Sequence, residues 1–201
     1  MEGWTLSWTE VAAFVTGAVC VWLVVRQHIA NFAVGIANNA LFLVLFVGAG
    51  LYADAGLQIV YVGLAVYGWW AWLHGGRQRT GVQVHHATGV QLGLCAGAVV
   101  VITAALQWGL HTWTDSTVAG WDALTTALSL VAQFMLSRKW IASWYLWIAA
   151  DLVYIPLYAS KGLWLTSVLY VLFLSLCIKG LVDWRRAAAK AHEREPQEAM
   201  V

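Results

Sequence analysis

The sequence predicts an all-α polytopic membrane protein, seven transmembrane helices arranged as a parallel 3+1+3 repeat. Three observations predict it. The chain is 61% hydrophobic and only 10% charged, with mean hydropathy +0.70, whereas soluble domains carry about 25% charged residues. Its apolar residues fall into seven runs near the roughly 20 residues needed to cross a bilayer: 9–26, 31–50, 56–74, 88–108, 118–137, 140–159 and 163–182. The chain also repeats itself. Arg26-Gln-His-Ile29-Ala30-Asn31-Phe32 returns as Arg138-Lys-Trp-Ile141-Ala142-Ser143-Trp144, and Ile36-Ala37-Asn38-Asn39 as Ile148-Ala149-Ala150-Asp151, both at an offset of 112. A third match, Leu51-Tyr52-Ala53-x-x-Gly56-Leu57 with Leu157-Tyr158-Ala159-x-x-Gly162-Leu163, has an offset of 106.

The first run lacks a basic leader and a small-residue cleavage site, and it belongs to the repeat, so it reads as a span rather than a signal peptide. Runs one to three and five to seven are the repeated triplets. One odd helix between them gives both triplets the same sense, a parallel duplication. The division is a first bundle at 9–74, a linker helix with its loops at 75–117, a second bundle at 118–184 and a tail at 185–201. Ten of the eleven Lys and Arg residues fall on one side, with Lys161 alone opposite. Positive residues favour the cytoplasm, which places the N-terminus outside and the C-terminus in the cytoplasm. The tail is helix-prone and charged, a solvated end.

Polar residues inside hydrocarbon are costly and face the protein interior. In run two, Asn31 and Asn38 share a face. Run three carries Gln58 and Tyr61, then closes on Tyr67-Gly68-Trp69-Trp70-x-Trp72, whose tryptophans cannot all face one way. In run five, Asp122, Thr126, Ser129 and Gln133 recur on one helical face. In run six, Trp140, Trp144, Trp147 and Asp151 do the same. Asp151 lies near the bilayer midplane, where a carboxylate costs at least ~2.5–3.5 kcal/mol. A ligand, a water-filled cavity or an inter-helix hydrogen bond to Asn38, Asn39 or Tyr61 would each offset that, and the roles open to Asp151 are a structural bond, ligand contact or proton coupling. Trp140, Trp164 and Trp184 read as belt residues at the membrane surface, while Trp144 and Trp147 read as deeper. Flat aromatic walls with few polar groups suit a flat aromatic ligand.

No phosphate-binding G-x-x-x-x-G-K-[ST] motif is present. His74, His85 and His86 have no acidic or Cys companion at ligand spacing, so no metal is expected. Cys20, Cys95 and Cys177 each fall within a run and form no disulfide framework. No catalytic constellation stands out, and neither an enzyme nor a resident cofactor is expected. A receptor or scaffold is the rival class, and polar stripes on two helices favour a transport path over it.

Over residues 8–184 the chain resembles the PnuC family of bacterial vitamin transporters. The resemblance rests on Asn31-Phe-x-x-Gly35-x-x-Asn38, Tyr67-Gly68-Trp69-Trp70-Ala71-Trp72, Trp121-Asp122 with Leu130-Val131-Ala132, and Arg138-Lys139-x-x-x-x-Trp144-x-x-Trp147. It implies a fold similar to full-length SWEET sugar transporters, and facilitated diffusion of an unphosphorylated vitamin trapped inside by a kinase. Where the family usually has Glu-Asn-Trp-x-x-Trp, this chain has Ala142-Ser143-Trp144-x-x-Trp147. Ser143 cannot present the amide pair of an Asn, which points from nicotinamide riboside toward a wider ring such as riboflavin. Asp151 would suit a cation, nicotinamide riboside or thiamine, so these stay as alternatives. The expected binding residues are Asn38, Gln58, Tyr61, Trp69, Trp72, Gln133, Ser143, Trp144, Trp147 and Asp151. Partners are the vitamin, the bilayer and, functionally, a cytoplasmic vitamin kinase. No nucleic acid is expected, and a homo-oligomer is compatible with the reading.

Overall fold

The computed structural model describes residues 8–48, 52–76, 81–113, 119–160 and 164–198. They form seven α-helices: α1 (Trp8–Val25), α2 (Ala30–Gly48), α3 (Tyr52–His74), α4 (Gly89–Trp113), α5 (Ala119–Ser137), α6 (Ser143–Ser160) and α7 (Trp164–Glu198). Four stretches are long and apolar enough to cross a membrane: Ala30–Gly48, Ala55–His74, Gly89–Gly109 and Thr166–Ala191. Val15–Val25 and Ala123–Ser137 are shorter apolar stretches. α6 is not among them: Asp151, Pro156 and its tyrosines and tryptophans lower the hydropathy of its 18 residues.

Packing follows a closed order: α1 on α2, α2 on α3, α3 on α5, α5 on α6, α6 on α7, and α7 back on α1. α4 packs against α5 alone among the described residues and leaves Val90, Leu94, Val100, Val101 and Trp108 exposed. Side chains with this pattern meet lipid rather than water. Six helices thus surround an interior and the fourth stands outside.

Two corners show why the chain turns where it does. At the end of α1, Gln27 N donates to Val24 O (2.9 Å) and His28 N to Leu23 O (2.9 Å). At the end of α5, Lys139 N donates to Leu136 O (2.9 Å) and Trp140 N to Met135 O (3.0 Å). Each is a Schellman ending, whose capping residue must be left-handed. Gln27 and Lys139 adopt φ 53° and 52° without being glycine.

This corner corrects the start of the sixth span. The helix begins at Ser143 rather than residue 140, because residues 138–142 form a non-helical corner in which Trp140 is bridged to His85. Trp140 therefore lies off the α6 stripe. It is buried beside the loop preceding α4, where its Nε1 donates to His85 Nε2 at 3.0 Å. The third repeat match also fails as a structural equivalence. Tyr52 opens α3, whereas Tyr158 sits in the last turns of α6. The helix openings Tyr52 and Trp164 are 112 apart, so the first offset continues and 106 reflects chance similarity near helix ends.

Candidate functional site

α6 supplies one wall. Asp151 is eight residues past the opening of α6 and nine before its end, buried at 4% exposure, with the Cys177 thiol of α7 beside it. Four buried side-chain polar atoms lack a hydrogen-bond partner among the described residues: Asp151 Oδ2, Ser143 Oγ, Trp144 Nε1 and Thr103 Oγ1. Three of these are on α6 and belong to the sequence-derived set. A buried polar group left unpaired costs about 1–3 kcal/mol, so such a row is retained at some cost. Trp147 lies between, half-buried against the core.

The opposite wall is more fully paired. Tyr61 of α3 hydrogen-bonds Ser129 of α5, which realises part of the polar face expected on the fifth span. Gln58 is buried on α3, and Gln133 of α5 is partly buried. Asn38 Nδ2 donates to Thr16 Oγ1 of α1 at 2.7 Å, a partner other than the expected Asp151. The Asp122 side chain lies outside the described residues.

The tryptophans divide differently from expectation. Trp69 and Trp70 are exposed and Trp72 is buried, so α3 sends only Trp72 inward. Trp69 therefore leaves the interior set: three residues before Trp72, it lies about 60° round the helix from it, at the outer edge of the buried face. Trp184, expected in the surface belt, has no exposed area. Its Nε1 donates to Val24 O at 3.3 Å, and its ring stands edge-on to Trp144 at 5.3 Å. Trp144 sits in the first turn of α6, near one end of the bundle rather than deep within it. Phe32, Trp72, Trp144 and Trp184 form one buried cluster there. Trp164 is exposed, as a belt residue should be.

Tyr154, Tyr158 and Tyr170 were missed. They stack at centroid distances of 4.8 to 5.7 Å on the other side of Asp151 from Trp144. The signal was present: Trp144, Trp147, Asp151, Tyr154 and Tyr158 follow i, i+3, i+7, i+10, i+14, one unbroken helical stripe. The wall is aromatic at both ends with a carboxylate between. A cavity of about 310 Å³ lies elsewhere, between α4 and the α5–α6 corner, lined by Cys95, Val99, Met135, Ile141 and Leu146 among others. It is apolar and outside the six-helix ring, and holds none of these site residues.

A family profile described as "Nicotinamide mononucleotide transporter" matches residues 7–186. The chain is 24% identical to the nicotinamide riboside transporter PnuC of Escherichia coli, covering 96% of this chain and 91% of that protein. It is 26% identical to the riboflavin/roseoflavin transporter RibM of Streptomyces davaonensis, covering 88% and 84%. A crystal structure of the vitamin B3 transporter PnuC superposes with TM-score 0.72 and 27% identity, over 92% of this chain and 83% of that one. With its seven helices and a profile match over nearly its whole length, the chain belongs to the PnuC family of membrane vitamin transporters.

Proposed function

We propose that the protein carries a vitamin with a flat aromatic ring across the bacterial inner membrane, riboflavin before others. The observation that supports this best is the α6 stripe, a buried carboxylate and orphaned polar atoms set between aromatic groups. Rings stack on flat ligands, and unpaired polar groups take up ligand hydrogen bonds. Asn38, Gln58, Tyr61, Gln133, Ser143 and Asp151 are the proposed polar contacts, with Trp72, Trp144 and Trp147 as aromatic ones. Ser143 in place of an amide, together with the relationship to RibM, supports riboflavin. Entry is by facilitated diffusion, and phosphorylation by a cytoplasmic kinase retains the product.

The path runs between two parallel triplets, α1–α3 and α5–α7, which fill the expected bundles 9–74 and 118–184, with α4 in the 75–117 linker and α7 continuing beyond 184. The closed packing order supports this, because exchanging α1–α3 with α5–α7 leaves it unchanged. Paired parallel repeats put substrate at their interface. The N-terminus faces outward and the C-terminus the cytoplasm. A C-terminal green fluorescent protein fusion should fluoresce and a C-terminal alkaline phosphatase fusion stay inactive; the reverse result rejects this orientation.

A second reading is a nicotinamide riboside carrier, favoured by the unpaired Asp151 oxygen, which suits a cationic ring. Counterflow in proteoliposomes decides between them. Labelled riboflavin should exchange without added energy and resist competition by nicotinamide riboside. Exchange of nicotinamide riboside alone overturns the first reading, and binding with no exchange of either overturns transport.

A further inference from the structure

At one end of the bundle, two hydrogen bonds obey a common rule. Trp72 Nε1 donates to Leu136 O (3.3 Å), and Trp184 Nε1 donates to Val24 O (3.3 Å). Donors and acceptors are both separated by 112 residues, so each bond is the counterpart of the other. Their surroundings correspond as well. Phe32 stands edge-on to Trp72 at 5.0 Å and 87°, and Trp144 edge-on to Trp184 at 5.3 Å and 88°. Gly68 lies against Phe32, and Gly180 against Trp144.

Each bond crosses from one triplet to the other. Trp72 of α3 reaches the last turn of α5, and Trp184 of α7 reaches the last turn of α1. These are the two seams, α3 on α5 and α7 on α1, where the triplets meet. In the closed packing order α3 and α7 stand opposite, with no backbone-level packing between them among the described residues. The rings of Trp72 and Trp184, at 6.2 Å, nevertheless meet across the interior. Each accepting carbonyl also receives the N–H of its left-handed corner residue, Gln27 or Lys139. Both lone pairs are thus engaged, which fixes the carbonyl toward its indole.

We propose that Trp72 and Trp184 are a matched pair of latches that close this end of the path by tying each triplet to the opposite one. Parting the triplets here requires both indole N–H bonds to break and the two rings to separate. The end concerned carries Arg26, Arg138, Lys139 and Arg185, the cytoplasmic end in the orientation proposed above. The seams are not equal. The α3–α5 seam has further ties: Arg138 donates to Tyr67 Oη (2.9 Å), Ser137 Oγ to Leu64 O (3.3 Å), and the Lys139 ammonium lies 4.3 Å from the Trp72 ring centre. Loss of the Trp184 bond therefore frees its seam more than loss of the Trp72 bond.

The inference rests on a path between the triplets, and its test needs no vitamin. Cys177, buried beside Asp151, serves as reporter in the full chain carrying Cys20→Ala and Cys95→Ala. A membrane-impermeant methanethiosulfonate is applied to oriented vesicles from either side. Trp72→Phe and Trp184→Phe keep a ring and lose the N–H. From the basic side, each should speed labelling of Cys177 by roughly 2- to 12-fold, the worth of one hydrogen bond. Trp184→Phe should have the larger effect, and the double variant should multiply the two. Labelling from the opposite side should not rise. Unchanged labelling, or an equal rise from both sides, overturns the proposal. If a Phe variant does not assemble, benzothienylalanine at position 184 preserves indole shape without the donor and is read the same way. A failure of vitamin exchange would reject the functional reading alone; side-specific labelling decides the latch.

Discussion

Gln27 and Lys139 share a left-handed backbone conformation, φ 53° and 52°, in residues that normally avoid it. Such a conformation costs a residue with a Cβ roughly 1 kcal/mol and glycine almost nothing. Gln27→Gly should therefore raise the melting temperature in detergent, by an amount equivalent to about 1 kcal/mol. A lower melting temperature would mean the Gln27 side chain contributes more than its backbone costs.

Gly68 and Gly180 are where aromatic rings touch helix backbone. A Cβ built at Gly68 would come 2.5 Å from the Phe32 ring, and one at Gly180 2.5 Å from the Trp144 ring. Overpacking of this kind costs about 1–3 kcal/mol. Gly180→Ala should lower thermal stability by that amount and reduce vitamin exchange, since Trp144 is displaced. Gly97→Ala, with open space around it, is the control: it should leave exchange unchanged and stability equal or up to about 1 kcal/mol higher.

Trp144 is almost fully buried and Trp164 largely exposed. Trp144→Ala should abolish exchange and cost about 3–5 kcal/mol, whereas Trp164→Ala should leave both unchanged. Trp144→Phe separates the two effects: it should recover most of the stability and less of the exchange. Equal loss of exchange in Trp144→Ala and Trp164→Ala would place the Trp144 ring outside the path.

Asp151 distinguishes the candidate ligands. For a neutral ring, Asp151→Asn keeps a hydrogen-bonding group and should hold riboflavin exchange within about threefold, while Asp151→Leu should lower it about tenfold. For a cationic ring, the Asn variant itself should fall by tenfold or more. Initial rates of counterflow with each variant provide the comparison.

The fold was largely legible because hydropathy and identity gave the same answer: runs of about 20 apolar residues, and a motif repeated at one offset. What escaped were features that depend on a neighbour in space. The turn before Ser143 carries no glycine to announce it, and Trp140 continues the apolar run, so the start of α6 seemed earlier. Trp184 lies just past the sequence-derived run 163–182 and so resembled a belt residue. It is buried because a carbonyl 160 positions earlier accepts its N–H. Within the site, Asp151 and Trp147 were visible from helical spacing. The tyrosine group was visible too but unread, as the stripe was followed only as far as the carboxylate. Which of Trp69, Trp70 and Trp72 turned inward could not come from spacing alone.

α7 runs for 35 residues without interruption, from Trp164 to Glu198. At about 1.5 Å per residue it reaches some 50 Å, against a hydrocarbon thickness of about 30 Å. Roughly two fifths of it stands proud of the hydrocarbon as a stiff rod continuous with the segment bearing Cys177 and Trp184. Any tilt of that segment must swing the protruding tip, so a fluorophore placed there would register each turnover from outside the lipid.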